Sequence, residues 1–245
     1  MAVYVFGPNA AVYYDQLDLS SYTREVTLDY AVEEQDATTL QQNTRIAKGG
    51  LTTVGFSIGG FHDHADPDST VFDGVGTRAA PFTFCPNGYT EAGRAFLTQP
   101  LQTAYNPLGA SVGDMSAFSF TGTGRGVPLV RGQLLHADSA ARTSSGAAPQ
   151  PAPQLGAVAA GERMYASLHV LAASGSTPTL DVVVQSDDNE DMTSATARIT
   201  FTQAGAVTSE WSSVAGAVTD DYWRVSYTIG GGSPSFTFVV AAGIA

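Results

Sequence analysis

The chain has 245 residues, enough to bury roughly 70–75% of the surface that its unfolded form would expose, so one large or two small domains are open to it. A net charge of −12, with its arginines scattered and a single lysine, Lys48, leaves no basic run and excludes a positive groove for nucleic acid. The lone Cys85 excludes an internal disulfide framework, and a composition with 26 glycines, 12 prolines and only 14% charged residues suits a turn-rich β protein with surface hidden in an assembly.

The opening "MAVYVFGPNA" lacks the basic and long apolar regions of a signal peptide, and no run reaches transmembrane length. The expectation is a soluble protein made in the cytoplasm. In "YTREVTLDYAVEE" Val26, Leu28, Tyr30 and Val32 alternate with Thr23, Glu25, Thr27, Asp29 and Glu33, which predicts a half-buried strand. "LTTVGFSIGGF" places Val54, Phe56 and Ile58 on one face of a second strand.

The next stretch, "GFHDHADPDSTVFDG" (residues 60–74), crowds His62, Asp63, His64, Asp66 and Asp68 together. Two histidines at i and i+2 on a strand share a face and could share a cation. The metallohydrolase spacing that this string suggests ends in a further Asp-His pair, and here Pro67 and Asp68 stand instead. Asp66 followed by Pro67 reads better as a helix start, with Gly74 to end it. We therefore expect a strand end and a capped helix over 66–74, with no metal and no catalytic residue.

Cys85, in "FTFCPNGYT", reads as a buried, inert thiol without basic neighbours. "GDMSAFSFTG" and "GVPLVRGQLLH" predict further strands, and "GTGRG" (122–126) between them reads as a hairpin tip that opens no phosphate-binding helix. The small, proline-rich segment 137–161 reads as a long loop or linker. Beyond it, "ERMYASLHVL" alternates Met164, Ala166, Leu168 and Val170 against Arg163, Tyr165, Ser167 and His169. "TLDVVVQSD", "ATARITFTQ", "DYWRVSYTIG" and "PSFTFVVAAG" follow as strands, the last two joined by a hairpin-like "GGGSP". The acidic "SDDNEDMT" (186–193) lacks the glycine and distant glutamate of a helix–loop–helix calcium site and reads as a solvated turn. The chain is all-β or nearly so, and one composite unit is expected: 1–136, a loop at 137–161, and a C-terminal β half at 162–245.

The order of these segments resembles the major tail tube proteins of long-tailed bacteriophages, of the actinobacterial-phage type. The likeness rests on "LDLSSYTREVTLDYAVEEQDATTLQQNTRIAKGGLTTVGFSIGGF", "SVGDMSAFSFTG", "LVRGQLLH", "LGAVAAGERMYASLHVLAASGSTPTLDVVVQSDD" and "DYWRVSYTIGGGSPSFTFVVAAGIA". It implies a mainly β fold: a tail-tube-type β-sandwich or partial barrel with one short helix, six copies of which close a β-barrel ring. Rings would stack into a tube in the virion tail, assembled in the host cytoplasm with tape-measure and tail-end proteins, and viral DNA would pass through without specific binding. No cofactor and no membrane partner are implied. The connection from Asp36 to Lys48 corresponds to a loop reaching the adjacent ring, which makes Thr38, Thr39, Leu40, Asn43 and Arg45 the candidate inter-ring contacts. Six copies at −12 would carry about −70 per ring, though screening confines the effect to roughly 8–10 Å. Glu25, Asp29 and Glu33, sharing one strand face, are the candidate acidic lumen lining, with an ordinary solvent face as the plain alternative.

Two rivals remain from other classes. A carbohydrate-binding or adhesion sandwich could use Trp211, Trp223 and Tyr222 as a sugar platform, although Trp223 alternates with Val225, Tyr227 and Ile229 as a core residue does. A metallohydrolase would be built on His62 and His64.

Overall fold

The computed structural model describes residues 9–62, 68–76, 79–107, 109, 111, 113–137 and 140–245. Residues 1–8, Asp63, His64, Asp66 and Pro67, on which parts of the leader, metal and helix-cap expectations rest, lie outside these. In chain order the strands are β1 (Ala11–Tyr14), β2 (Leu17–Asp18), β3 (Thr23–Asp36) and β4 (Ala47–Phe61), followed by helix α1 (Asp68–Asp73). Then come β5 (Phe82–Cys85), β6 (Arg94–Thr98), β7 (Pro100–Asn106), β8 (Ala117–Gly124) and β9 (Val130–His136). The C-terminal strands are β10 (Gly146–Ala148), β11 (Arg163–Asp187), β12 (Thr196–Thr200), β13 (Thr208–Ala215) and β14 (Tyr222–Ile244). The fold is mainly β, as the alternation predicts. Two compact units interleave in sequence: the described residues of Met1–Ser21, Ala80–Gln99 and Val130–Ala245 form the first, and those of Tyr22–Ala79 and Pro100–Leu129 the second.

The first unit is organised by β11 and β14, which pair antiparallel from Met164 opposite Ile244 to Asp187 opposite Tyr222. The register slips between Ser174 and Thr179, where Gly175 (φ 122°) and Gly231 (φ 113°) adopt left-handed backbone. A Cβ on Gly231 would meet the Thr177 carbonyl oxygen at 2.7 Å, so the site accepts no side chain. Such irregularities bend a ladder. Met164, Ala166, Leu168 and Val170 before the bend, and Leu180, Val182 and Val184 after it, enter one core with Trp223, Val225, Phe236 and Phe238. The expected hairpin at "GGGSP" is therefore not formed. Both flanking segments belong to the single strand β14, because β11 continues opposite them and pairs with each in turn.

Other strands extend the ladder in the order β12-β11-β14-β9-β6-β5-β1-β2, with β10 on β14 and β13 on β11. The sheet curls: Thr83 of β5 hydrogen-bonds Ser167 and His169 of β11, although three strands separate β5 from β11 along the ladder. A second core, with Tyr13, Cys85, Leu134, Val239 and Ala241, fills the curl. Ser167 and His169, expected on an outer face, are thereby buried. The segment 137–161 is likewise no free linker. β10 pairs with β14, Arg142, Gln154 and Val158 each make an isolated bridge, and Ala148, Ala152 and Val158 are buried.

The second unit is a four-stranded antiparallel sheet, β3-β4-β8-β7, with α1 on one face. Val54, Phe56, Ile58, Phe118 and Phe120 are buried, as their alternation predicts, and Val71 of α1 is buried too. The backbone leaves the helix through Gly76 (φ 75°), whose N–H donates to the Gln102 carbonyl at 3.0 Å. Gly76 rather than Gly74 thus supplies the left-handed turn. "GTGRG" is no hairpin tip either, since β8 pairs with β4 and β7 while β9 pairs with β6 and β14.

These cores set a first prediction. Phe238→Ala should lower unfolding free energy by about 3–5 kcal/mol, and Gly231→Ala by roughly 1–3 kcal/mol, in urea titrations followed by tryptophan fluorescence. A Gly231→Ala protein as stable as wild type would show that the bend does not constrain the strand pair.

Candidate functional site

β3 and β4 run 14 and 15 residues, about 45–50 Å if fully extended. Their ladder extends from Thr23 opposite Gly60 to Asp36 opposite Ala47. β8, however, covers only Gly55–Phe61 of β4, ending at the pair Gly55 and Thr123. Past that point the hairpin is a two-stranded ribbon, a structure of marginal stability in water on its own.

The ribbon's inner face continues the apolar stripe of the core. Val26 lies opposite Ile58, Leu28 opposite Phe56, Tyr30 opposite Val54 and Val32 opposite Thr52. Burial stops along this stripe: Tyr30 is 58% exposed and Val32 54%. The half-buried strand predicted over 22–34 is partly buried only at Val26 and Leu28 of its inner face, because the unit has no layer over the rest. A groove of about 350 Å³ lies where β8 ends, lined by Tyr30, Val54, Thr123, Val127 and Pro128 among others.

The opposite face differs in chemistry. The register places Glu25, Thr27, Asp29, Ala31 and Glu33 of β3 there, beside Gly59, Ser57, Gly55 and Thr53 of β4 and Ser119, Thr121 and Thr123 of β8. The three acids are exposed, 4 residues apart along one strand face. From Glu25 to Ala31 the paired positions of this face carry small and hydroxyl side chains and carboxylates; the cations that flank the stretch are Arg24, in the register slip before Glu25, and Lys48, opposite Gln35 near the tip.

The tip holds its shape through its own bonds. The Thr38 N–H donates to Asp36 Oδ1 at 2.9 Å, and the Ile46 N–H donates to Thr38 Oγ1 at 2.9 Å. Thr39 accepts the Gln42 N–H on its carbonyl. Arg45 bridges Glu34 at 3.2 Å and Asp36 at 3.5 Å. The hydroxyl of Thr38, and secondarily its N–H, hold the Asp36 carboxyl below the usual range. Among the inter-ring candidates, then, Thr38 and Arg45 are committed to the tip itself, whereas Leu40 stands fully exposed and Asn43 is exposed beside it.

Helix α1 is clamped to the sheet. Tyr105 of β7 donates to Asp68 Oδ1 at 2.6 Å, His62 Nε2 lies 3.4 Å from the same oxygen, and Gln102 donates to the Val71 carbonyl at 2.7 Å. Tyr105 is the main cause that lowers the Asp68 pKa, and burial together with Asp68 raises that of Tyr105. His62 therefore serves this clamp. No group of three or more His, Cys, Asp or Glu among the described residues is arranged to hold a metal ion.

In the first unit, His169 has the partners of a catalytic base without the access. Its Nδ1–H donates to the Asp15 carbonyl at 2.6 Å, which leaves Nε2 to accept from the Thr83 hydroxyl at 2.8 Å, and Ser167 stands 2.8 Å from that hydroxyl. All three side chains are fully buried, so the chain of bonds ties β5 to β11 and admits no substrate. Burial is the main cause that depresses the His169 pKa, to about 4. His136, stacked on Phe238 with ring centroids 4.2 Å apart, is also depressed by burial, against the pull of Glu91. The sugar-platform residues are not brought together. Trp223 is fully buried with its Nε1–H on the Gly156 carbonyl at 2.9 Å, and Trp211 packs on Tyr165. Adjacent Tyr222 and Trp223 point to opposite faces of β14.

No family model and no curated protein matches this chain. Among solved structures it is similar to a chain of the native gene transfer agent virion, at 18% identity and a TM-score of 0.39 over 50% of this chain and 96% of that one. A chain from the tail of the empty gene transfer agent particle, refined with C6 symmetry, gives 18% identity and 0.36 over 44% and 81%. The SPP1 Dit protein, a hub protein of phages that infect Gram-positive bacteria, gives 11% identity and 0.40 over 96% and 99%.

The two histidines set the acid response. The unfolded chain binds a proton at each near pH 6.5 while folded His169 resists it to about 4, so stability is complete above pH 6.5 and declines as pH falls toward 4. His169 alone should contribute a loss of about 3 kcal/mol across that window, with His136 adding in the same direction. Urea midpoints measured across it should fall steeply for wild type and less steeply for His169→Gln; equal slopes would remove His169 from the account.

Proposed function

We propose that this chain is a structural subunit of a phage-type virion tail, in which copies join through the β3–β4 ribbon into rings, six-fold by the resemblance, that stack as a tube. The observation that carries the reading is the ribbon: an apolar stripe that begins in the core of one unit and runs out into solvent at Tyr30 and Val32. A two-stranded ribbon with free edges and uncovered apolar side chains is completed by strands from other copies, and a closed ring leaves no edge to pair wrongly. The order of sequence segments that resembles the tail tube proteins supports the same reading.

In this arrangement the face that bears Glu25, Asp29 and Glu33 lines the bore. Small hydroxyl side chains and carboxylates offer a passing DNA duplex neither cations nor aromatic rings to hold it. The tip, with Leu40 and Asn43 outermost and Thr38, Thr39 and Arg45 shaping it, reaches the next ring. Tape-measure and tail-end proteins are the further partners of such a tube, and the protein has no catalytic role in it.

Negative-stain microscopy of concentrated protein tests the reading directly. Wild type should give rings or hollow tubes, while the Tyr30→Ser, Val32→Ser double variant should keep the wild-type circular dichroism and melting temperature yet form few or none. A double variant that assembles normally, or a wild type that gives neither rings nor tubes even with its tail partners co-expressed, would sink the proposal. For the lining, Glu25→Lys, Asp29→Lys, Glu33→Lys virions should eject their genome slowly or trap it; wild-type ejection would return these acids to an ordinary solvent face.

A further inference from the structure

A second, differently charged surface lies on the first unit. Arg94 of β6 and Arg131 of β9 both line a groove of about 320 Å³ together with Gln133, Gln154, Leu155 and Ile244. Arg94 lies opposite Gln133 and Arg131 opposite Phe96, which puts both arginines and Gln133 on one face of the sheet. Between them, on the opposite face, Gly132 packs closely on β14, where a Cβ would sit 1.9 Å from the Ala242 carbonyl oxygen. Both arginines are exposed, and no ion pair ties either to a carboxylate among the described residues. Gln133 Oε1 is shut from solvent and has no hydrogen-bond partner among them. Two free guanidiniums on one face suit closely spaced carboxylates, the chemistry of an acidic peptide.

The same chain carries such a peptide close by. The turn between β11 and β12 is held rigid by the Ser194 N–H on Asp187 Oδ2 at 2.6 Å and the Asp191 N–H on Asn189 Oδ1 at 2.9 Å. The Ala152 N–H on the Glu190 carbonyl at 3.0 Å ties it to the segment that leads to Gln154 in the groove. Asp188, Glu190 and Asp191 point outward, exposed, and no cation pairs with them among the described residues. The hydrogen bond and charge of Asp187 raise the pKa of Asp188, the mark of negative charge crowded without a counter-ion.

We infer that the Arg94–Arg131 groove binds the acidic turn Asp188–Asp191 of a second copy of this chain. Because groove and turn are neighbours on one surface, the patch is self-complementary, and a two-fold pairing seats each turn in the other copy's groove. A turn already rigid loses little freedom on docking. This contact involves neither the ribbon nor its edges, so it goes beyond the tube reading and stands or falls apart from it.

Zero-length carbodiimide coupling tests it, since the chain has one native lysine, Lys48. Arg94→Lys and Arg131→Lys proteins, each prepared as an equal mixture of nitrogen-15-labelled and unlabelled copies, are coupled at high concentration and digested. The expected product joins position 94 or 131 to Asp188, Glu190 or Asp191 as mixed-isotope pairs, and coupling is suppressed at 1 M salt, where the Debye length is about 3 Å. Same-isotope pairs alone would mean that the turn meets its own groove, and an absence of such products would mean that it meets none; either overturns the inference. Sedimentation adds a second arm, in protein that also carries Tyr30→Ser and Val32→Ser so that ribbon assembly is silent: the Arg94→Glu, Arg131→Glu protein and the Asp188→Lys, Glu190→Lys protein should each lose self-association and regain it when mixed. If citrate protects the groove from coupling while self-association is unchanged in both variants, the groove takes free carboxylates and the second copy is overturned. Loss of tubes in the ribbon variant with these cross-links intact would separate this contact from the ring reading.

Discussion

A β-strand has two rows of backbone donors and acceptors, and every one that is kept from water needs a partner. Most of this chain's architecture follows from where those rows find one. β14 is the extreme case: β11 takes one side of it and β9 and β10 take the other, so it sits at the centre of the first unit with both edges used. β11 in turn carries β12 and β13 on its far side. The two cores form on the two faces of this saturated centre, and the bend at Gly175 and Gly231 folds one half of the ladder over the other. In the second unit the same accounting is left open, since β8 stops at Gly55 while β3 and β4 run on.

That contrast separates closed surfaces from open ones. The hydrogen-bonded groups that look most like chemistry, His169 with Thr83 and Ser167, and His62 with Asp68 and Tyr105, belong to the closed parts and serve as ties between strands and helix. Surfaces left with unmet demands are of two kinds, the apolar stripe of the ribbon and the paired arginines of the first unit. One asks for burial and the other for charge, and neither demand is met within the chain's described residues.

Much of this was legible in the alternation of side chains. Val54, Phe56 and Ile58, or Met164, Ala166, Leu168 and Val170, announce both the strand and its inner face, because a period of two is a property of the strand itself. What covers a face is not such a property. Tyr30 and Val32 carry the same alternation as Val26 and Leu28, and only the length of β8 tells that their cover ends. Ser167 and His169 look like an outer face until the sheet curls and brings Thr83 over them. "GGGSP" and "GTGRG" carry turn chemistry, yet one is a bend inside a paired strand and the other a passage between units, since the partner strand decides and lies far off in sequence. The groove was illegible for the same reason: Arg94, Arg131 and Gln154 are 37 and 23 residues apart along the chain, and ladder register alone sets the first two on a common face.

The place of β14 in the chain bears on how the protein comes to fold at all. All four strands of the second unit lie before residue 130, so that sheet can close while synthesis continues. The first unit's central strand is made after every other strand of its sheet. Until Tyr222–Ile244 emerges, β9 lacks one neighbour, β10 lacks its partner, and β11 presents a long row of unpaired backbone donors and acceptors. Its ladders also span large separations in sequence, a topology that folds slowly. A growing chain therefore passes through a stage in which one unit is finished and the other is a set of sticky strands that wait for their middle.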